Sequence, residues 1–249
     1  MTMPDVAEGP GWKLICGDYR EVLEGVTCDA LITDPPYSAR THQGHRNGVG
    51  LSGSGTPTER VDLSYGAWDD GCIARFVGDW SSRTAGWMAC MTSHDLCPSY
   101  ERAMEARGRY VFAPIPCCVT GMTCRLAGDG PSSWSVYAMV SRPRSAEWLA
   151  VRKAKRDARG EIKSLPGFYA GPREEQEHIG GKPLWLMRAL VRDYSEPGDL
   201  ICDPCAGGGT TLLAAVMENR RAIGAERDPA TFAKAVARLR RGFTPVFAF

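Results

Sequence analysis

Two stretches of the sequence place charged, aromatic and glycine residues where short apolar runs end. The first, LITDPPYSAR at 31–40, puts Asp34, two prolines and Tyr37 directly after such a run. The second, GDLICDPCAGGGTTLLAAVM at 198–217, places three consecutive glycines between an apolar run and a helical pattern. Two prolines in a row fit poorly in a continuing strand or a starting helix. The first stretch therefore holds a carboxylate and an aromatic ring in a rigid segment directly after a predicted strand.

The glycine stretch predicts a ligand-binding turn between a strand and a helix. Glycines let a ligand approach the backbone, and the following helix N-terminus offers free N–H groups. A Walker A loop and the dinucleotide motif G-x-G-x-x-G are both absent, because 207–212 reads GGGTTL. Glu226 ends the next apolar run, where an acid can accept hydrogen bonds from ribose hydroxyls. Together, the glycine stretch and Glu226 indicate a nucleoside ligand that needs no phosphate group, such as S-adenosylmethionine. For either feature alone, an ordinary turn or a surface acid is the alternative.

The elements that must position these residues follow a repeating pattern. Short apolar runs, each followed by a turn signal or a helical spacing, lie at 14–16, 30–33, 87–91, 200–202 and 222–225. Strands too short and apolar to alternate, separated by helices, predict an α/β fold with parallel strands and helices on both faces. Two further strand patterns, at 110–112 and 134–140, have no helix between them. They predict an antiparallel hairpin at one edge of the sheet.

Length and composition predict one globular domain. The chain has 249 residues, 43% of them hydrophobic, and no run long enough for a membrane helix. The first residues, MTMPDVAEGPGW, lack the features of a secretory signal, so we expect a cytoplasmic protein. Ten cysteines are present, but only Cys202 and Cys205 form a C-x-x-C pair. We therefore expect reduced cysteines that pack as small hydrophobic residues, and no metal site.

The distribution of charge, and two segments without regular hydrophobic spacing, indicate a function less directly than these motifs do. The net charge is only +1, yet 142–163 carries eight basic residues against three acids. A solvated helix face is the alternative explanation for this cluster. We interpret 144–181 as a small basic insertion outside the core sheet. Residues 38–60, rich in Gly, Ser and Thr, predict a long flexible loop, and loops of this length are often functional.

Three motifs together resemble the DNA amino-methyltransferases, which use S-adenosylmethionine to methylate the exocyclic nitrogen of adenine or cytosine. The motifs are Asp34-Pro35-Pro36-Tyr37, the glycine stretch from Asp203 to Thr211, and His178-x-x-x-Lys182-Pro183. The resemblance covers about residues 12–241. The tetrapeptide precedes the glycine stretch, which matches the beta group, a circular permutation of the usual order. The resemblance implies a Rossmann-like fold with a mostly parallel seven-stranded sheet, in which the strands of these two motifs are central neighbours.

The resemblance also implies a role for each catalytic residue. Asp34 and the carbonyl of Pro35 would accept the two N–H bonds of the target amino group, pulling its hydrogens out of plane and freeing its lone pair. The prolines would hold that carbonyl still. Tyr37 would stack on a base flipped out of the duplex. The catalytic set is therefore Asp34, Pro35, Pro36 and Tyr37.

A second set of residues would bind the cofactor. These residues are Asp18, Lys182, Asp203, Cys205, Ala206, Gly207, Gly209, Thr210, Thr211 and Glu226. By the resemblance, Asp18 lies near the adenine of the cofactor and Glu226 holds the ribose. Lys182 would face the cofactor carboxylate, although a solvent-exposed lysine at a helix start is the alternative. The sequence departs from the family pattern at Cys205, often aromatic, at Gly208, often Ser, and in H-I-G-G-K-P, usually H-P-T-Q-K-P.

Double-stranded DNA is the expected partner, with no membrane. The predicted DNA-binding residues are Arg40, His42 and Arg46 in the 38–60 loop and Arg152, Lys153, Lys155, Arg156 and Arg159 in the basic insertion. Lysine and arginine contacts to phosphates would position the duplex. We expect the loop to close over DNA and to be poorly ordered without it. A homodimer is compatible with the resemblance, and the apolar tail at 246–249 could be buried in it or packed on its own domain.

Three classes of function remain open at this point. Aspartate at position 34 favours adenine-N6 methylation, because cytosine-N4 enzymes of this family more often carry serine there. Structured RNA or a protein glutamine is a second substrate class, since N-P-P-Y motifs serve there. The aspartate and the permuted order argue against it. A non-catalytic DNA-binding protein is the third class, and the intact Asp34, Tyr37, Gly207 and Glu226 argue against decay of the site.

Overall fold

The computed structural model describes residues 4–40, 66–121, 135–158, 164–174 and 181–242. The strands, in chain order, are β1 (Val6–Gly9), β2 (Trp12–Cys16), β3 (Ala30–Thr33), β4 (Met88–Thr92), β5 (Arg109–Val111), β6 (Ile115–Thr120), β7 (Ser135–Pro143), β8 (Tyr169–Pro172), β9 (Leu200–Asp203) and β10 (Arg221–Glu226). The helices with described bounds are α1 (Tyr19–Val22), α2 (Asp70–Ser81), α3 (Cys97–Ala106), α4 (Ala146–Ala158), α5 (Leu184–Tyr194), α6 (Thr210–Met217) and α7 (Pro229–Arg241), with a 3-10 turn at His94–Leu96.

The strands form one ten-stranded sheet in the order β1-β2-β10-β9-β3-β4-β7-β6-β8, with β5 also paired to β7. The five strands from β2 to β4 in this order are parallel. Antiparallel pairs flank them, at β1 on one side and at β7 on the other. The prediction of an α/β fold with a mostly parallel sheet is confirmed, although the described residues place ten strands in the sheet rather than seven.

The antiparallel side of the sheet is more elaborate than the predicted hairpin. β7 has nine residues, enough to pair with β4 along one side and with both β5 and β6 along the other. The predicted pairing of 110–112 with 134–140 is confirmed in the β5–β7 pair, but β6 intervenes in the chain. β8 adds a parallel edge strand to β6. β8 lies within 144–181, so part of the segment that we expected outside the core sheet joins the edge of the sheet, beyond the five central parallel strands.

Two hydrophobic cores cover the two faces of the sheet. One face packs against α5, α6 and α7, through side chains such as Leu190, Leu212 and Leu239. The other packs against α2 and α3, through Phe76 and Tyr100. Parallel strands buried on both faces explain the continuous apolar runs. Over the described part of the chain, no helix is both long and apolar enough to span a bilayer.

The two ends of the parallel strands define two edges of the sheet, which we call the carboxyl edge and the amino edge. β3 ends at Thr33, β9 at Asp203, β10 at Glu226 and β2 at Cys16, all at the carboxyl edge. β3 and β9 are direct neighbours, as the resemblance implied. The permuted chain order therefore still brings the tetrapeptide and the glycine stretch side by side.

Gly86, just before β4, is a point where the packing tolerates no side chain. A Cβ atom at Gly86 would lie 2.6 Å from the carbonyl oxygen of Asp29, a backbone atom that cannot rotate away. We expect Gly86→Ala to lower the free energy of unfolding by about 1–3 kcal/mol, as overpacking does in other cores. Gly167→Ala is the matched control, because nothing lies within 4 Å of a Cβ atom there. Urea unfolding of both variants measures the difference, and equal stabilities would refute the packing argument.

Candidate active site

The tetrapeptide lies at the carboxyl edge, directly after the buried strand β3. Tyr37 donates its hydroxyl hydrogen to Asp34 Oδ1 over 3.0 Å. Burial raises the pKa of the Tyr37 hydroxyl well above 10, so the group remains a donor at neutral pH. The N–H of Trp68 donates to the carbonyl oxygen of Tyr37 over 3.0 Å. The chain that leaves the tetrapeptide after Arg40 thus returns to it at Trp68.

Lys182 lies against the tetrapeptide. Its Nζ atom is 2.6 Å from Asp34 Oδ2 and 4.9 Å from the centroid of the Tyr37 ring. The side chains of Lys182 and Asp34 are only 13% and 23% exposed, so the ion pair is partly shielded from water. Its predicted contact with the cofactor carboxylate stays a prediction, while the observed partner is the predicted catalytic carboxylate. Pro183, the N-cap, separates Lys182 from α5, which begins at Leu184.

Asp203 ties the two central strands together at their ends. Its side chain is 2% exposed, and its Oδ1 atom accepts from Thr33 Oγ1 over 2.6 Å and from the N–H of Cys205 over 3.1 Å. The side chain therefore faces the protein interior and positions the turn that follows β9. Burial raises the pKa of Asp203 to about 6, against the opposing effect of its hydrogen bonds. Burial also raises the pKa of the neighbouring Cys205 thiol.

The raised pKa of Asp203 predicts a pH-dependent contribution to stability. The unfolded chain releases this proton near pH 3.8 and the folded chain near pH 6, so the contribution is complete below 3.8 and is lost as pH rises through 6. A pKa shift of one unit corresponds to about 1.4 kcal/mol, so the shift from 3.8 to about 6 changes the free energy of unfolding by about 3 kcal/mol. Relative to Asp203→Asn, which cannot ionise, the wild type should lose up to this amount between pH 4 and pH 7. Denaturant unfolding across this range measures it, and a constant difference would contradict the prediction.

The glycine stretch forms the predicted turn between β9 and α6. Gly207 and Gly209 have φ values of 50° and 74°, a left-handed conformation that favours glycine, and Gly209 is the N-cap of α6. The N–H of Ala206 donates to the carbonyl of Ala225 over 2.9 Å, which holds the turn against β10. Thr210 and Thr211 open the helix and are buried. The N-terminus of α6 therefore lies at the carboxyl edge beside the tetrapeptide strand.

Glu226 supports this turn from the end of β10. Its Oε2 atom accepts from the N–H of Gly207 over 2.9 Å, and its Oε1 atom accepts from the N–H of Asp228 over 2.8 Å. Burial raises the pKa of Glu226, although both hydrogen bonds oppose the shift. An ionised carboxylate has about four acceptor positions, so each oxygen retains one for a ligand hydroxyl.

Asp18 lies at the neighbouring strand end. The N–H of Gly17 donates to the carbonyl oxygen of Glu226 over 2.9 Å, which joins the ends of β2 and β10. Asp18 is the N-cap of α1 and forms an ion pair with Arg20. Hydrogen bonds from Arg20 lower the pKa of Asp18. The three strand ends after β9, β10 and β2 thus carry the residues that the sequence assigned to one nucleoside site.

Arg238 is a positioning residue that the sequence analysis did not assign to the site. From α7, its Nη1 atom donates to Thr210 Oγ1 over 2.7 Å and to the carbonyl oxygen of Gly208 over 3.2 Å. It thereby fixes the start of α6 from the side. In the sequence, Arg238 belonged to a basic group at the end of a helix, and helical spacing alone could not show that it points to the glycine turn.

The predicted DNA-binding residues divide between the two edges. Arg40 is exposed and follows the tetrapeptide at the carboxyl edge. Helix α4 lies instead at the amino edge, because Trp148 packs on Trp87, which precedes β4, with ring centroids 5.5 Å apart. Each strand residue advances the chain by about 3.3 Å, so the two edges are roughly 16 Å apart along the five residues of β4. The phosphate contacts predicted for α4 would therefore lie at the amino edge, away from the tetrapeptide, and they stay a prediction.

The charges of α4 also have local partners. Arg152 lies 3.6 Å from Glu196 and stacks over Trp148, and Lys153 lies 3.3 Å from Asp157. Burial raises the pKa of Asp199, and the nearby charge of Lys155 partly opposes this rise. The alternative explanation, a helix face with locally balanced charge, accounts for Arg152, Lys153 and Lys155. His42, Arg46, Arg159, most of the 38–60 loop and the side chain of Arg156 lie outside the described residues.

The residues at the carboxyl edge fit S-adenosylmethionine. The left-handed glycines at 207 and 209 leave the backbone of the turn without side chains, and Glu226 retains acceptor positions for ribose hydroxyls. The parallel sheet and the glycine turn define the class of fold, a Rossmann-like α/β fold. S-adenosylmethionine is the cofactor of the methyltransferases that the three motifs resemble.

Comparison with known proteins finds similarity to DNA methylases. Residues 129–237 match the family profile described as DNA methylase of the N6/N4 type. Type II methyltransferase M2.MboI of Moraxella bovis is 29% identical in an alignment of 230 positions that covers 86% of this chain and 81% of that protein. M.HindIII of Haemophilus influenzae is 44% identical over 62 residues, only 20% of its length. Over residues 129–237 the chain is therefore similar to the N6/N4 DNA methylases.

Solved structures of similar fold cover almost the whole chain. The M1.HpyAVI–SAM complex has a TM-score of 0.62 at 19% identity and covers 92% of this chain and 98% of that one. A putative DNA modification methylase from Thermus thermophilus, complexed with S-adenosylmethionine, has a TM-score of 0.57 at 22% identity, covering 93% and 94%. The cytosine-N4-specific PvuII DNA methyltransferase has a TM-score of 0.63 at 15% identity, covering 98% and 92%. These similarities establish the fold.

Proposed function

We propose that the protein methylates the N6 amino group of adenine in double-stranded DNA, with S-adenosylmethionine as the methyl donor. One observation carries the proposal. The Asp34 carboxylate and the glycine turn follow adjacent parallel strands, β3 and β9, at the same edge of the sheet. An acceptor for an amino group therefore lies beside a cradle for a nucleoside cofactor.

The tetrapeptide prepares the amino group for attack. An exocyclic amino group is a weak nucleophile, because its lone pair is conjugated with the ring. Asp34 and the Pro35 carbonyl accept its two N–H bonds, which moves the nitrogen toward a tetrahedral geometry and frees the lone pair. Fixed acceptors of this kind need no reorganisation during the reaction. The base must leave the duplex to reach Asp34, and Tyr37 supplies the surface on which it stacks.

S-adenosylmethionine supplies a methyl group on a positively charged sulfur, so the N–CH3 bond forms as the S–CH3 bond breaks and the bonding pair stays on sulfur. The amino nitrogen becomes positively charged and then loses one proton, for which the Asp34 carboxylate is the nearest acceptor. The transfer is direct, so no residue of the chain forms a covalent intermediate. The contribution of the chain is orientation and preorganised hydrogen-bond acceptors.

Cytosine-N4 methylation is the second candidate, favoured by the similarity in fold to the PvuII enzyme. The amino groups of adenine and cytosine present the same two N–H donors, so the tetrapeptide geometry serves both bases. The aspartate at position 34 is our reason to prefer adenine. Digestion of methylated DNA followed by nucleoside mass spectrometry separates the two. We expect N6-methyladenine, and N4-methylcytosine without N6-methyladenine would refute the adenine assignment.

A further inference from the structure

The ammonium group of Lys182 makes one of the contacts that the proposed reaction requires of the target amino group. It donates to Asp34 Oδ2 over 2.6 Å and lies 4.9 Å from the centre of the Tyr37 ring. The other carboxylate oxygen, Oδ1, accepts from the Tyr37 hydroxyl over 3.0 Å. Both oxygens of Asp34 are therefore engaged by the protein itself.

We propose that Lys182 is a placeholder, which occupies the position of the target amino group in the free protein and withdraws when the base enters. The proposal rests on the proposed function, because it assigns a regulatory contact to the same site. It concerns when Asp34 becomes available, and it adds no step to the methyl transfer. Lys182 then acts through Asp34, as a residue that positions and protects the carboxylate.

Space in the site supports the placeholder. A base that stacks on Tyr37 and donates from its amino group to Asp34 must put a nitrogen atom within hydrogen-bond distance of that carboxylate. The Nζ atom of Lys182 is already at that distance, beside the same ring. With 13% of the Lys182 side chain exposed, the ammonium lies inside the site rather than in solvent. Base and ammonium therefore compete for one position.

The positive charge that develops on the amino nitrogen is a second reason for the Lys182 ammonium to withdraw. Methyl transfer moves a positive charge onto the amino nitrogen while Asp34 holds its hydrogens. A second cation on the same carboxylate would repel that charge at short range in a partly dehydrated site, where electrostatic interactions are stronger than in water. The pair between Lys182 and Asp34 therefore suits the free protein and opposes the transition state.

The structure also gives Lys182 a way to withdraw. Residues 181–183 precede α5 and are not helical, while the N–H of Leu184 is held by Glu174 Oε2 over 2.6 Å. The backbone is thus anchored just after Lys182, and the flexible four-carbon stem can turn the ammonium away by rotation alone.

Two substitutions test the placeholder. Lys182→Met keeps an unbranched apolar stem and removes the ammonium, whereas Lys182→Arg keeps a cation. The measurements are the KM for duplex DNA and kcat at saturating S-adenosylmethionine, and the fluorescence of 2-aminopurine placed at the methylated position, which reports extrusion of the base. Lys13→Met, an exposed lysine on β2, is the control.

The placeholder predicts a specific pattern of effects. In Lys182→Met, we expect the KM for DNA to fall about 3- to 10-fold and the extruded fraction to rise, with binding of S-adenosylmethionine changed less than threefold. Lys182→Arg should resemble the wild type in the extruded fraction. A 10-fold or greater loss of S-adenosylmethionine affinity in Lys182→Met, with unchanged base extrusion, would overturn the proposal in favour of a cofactor contact. A joint fall of kcat and base extrusion would overturn it as well.

A measurement without DNA separates this proposal from the proposed function. The ζ-nitrogen NMR resonance of Lys182, identified by its loss in Lys182→Met, should shift in Asp34→Asn if the pair exists in solution. No shift would overturn the placeholder while leaving DNA methylation intact. A shift in a protein that methylates no duplex DNA would refute the proposed function, and the placeholder would fall with it because there would be no base to exclude.

Discussion

Replacement of Asp34 by alanine is expected to lower the rate of methyl transfer to DNA about 1,000-fold. The substitution removes the carboxylate that accepts a hydrogen bond from the target amino group in the proposed reaction. Loss of one preorganised hydrogen-bond partner of a developing charge typically lowers the rate by 10²- to 10³-fold. The glycine turn and Glu226 are untouched, because their hydrogen bonds do not involve Asp34. The affinity for S-adenosylmethionine should therefore change less than about threefold.

The measurement is a single-turnover rate with saturating cofactor, alongside direct titration of cofactor binding. Glu105→Ala, an exposed carboxylate near the end of α3, is the matched control and should retain the wild-type rate. A near-normal rate in Asp34→Ala would show that the carboxylate is not the amino acceptor. An equal loss of cofactor affinity would show that Asp34 acts on the cofactor rather than on the base.

Replacement of Glu226 is expected to weaken S-adenosylmethionine binding by about 10- to 100-fold. The carboxylate accepts from the N–H groups of Gly207 and Asp228 and supports the turn that forms the cradle. Hydrogen bonds to a charged group contribute about 1.5–3 kcal/mol each, and the ribose contacts proposed for Glu226 would be lost as well. Glu226→Gln should be nearly as damaging as Glu226→Ala, because an amide can accept at only one of its two polar atoms.

Isothermal titration of the two variants with S-adenosylmethionine measures this loss. Glu24→Ala removes an exposed carboxylate on the same chain and serves as the control. Thermal unfolding of each variant without cofactor shows whether the turn itself is destabilised. Wild-type affinity in a folded Glu226→Ala protein would remove Glu226 from the cofactor site.

The sequence predicted the parts of the molecule that depend on local signals. Apolar runs placed β3, β9 and β10, and the glycines placed the turn between β9 and α6, because only glycine readily adopts the left-handed φ of 50° and 74° found there. Neighbouring parallel strands necessarily end at the same edge. The approach of the tetrapeptide to the glycine turn was therefore predictable once the strands were assigned.

Features that depend on distant contacts were not predictable in the same way. β8 has only four residues and belongs to the sheet through its pairing with β6, far away in sequence. The basic residues of α4 looked like a DNA-binding cluster, but their location at the amino edge is decided by the packing of Trp148 on Trp87. Neither contact leaves a local pattern.

Lys182 shows the same limit within the site itself. Its motif predicted a role near the cofactor, and the residue does lie at the carboxyl edge. Its observed partner is Asp34, 148 positions away in the chain. A lysine has a long flexible stem, so its position along the backbone does not determine which of several nearby acids it meets.

Transfer of a labelled methyl group from S-adenosylmethionine to DNA is the reaction to measure first. Purified protein is incubated with labelled cofactor and, in separate reactions, with duplex DNA, structured RNA and protein, and the same set is repeated with Asp34→Ala. We expect label in the duplex DNA, on an exocyclic amino nitrogen, and about 1,000-fold less label with the variant. Label in RNA or protein but not in DNA, or equal labelling of DNA by the variant, would contradict it.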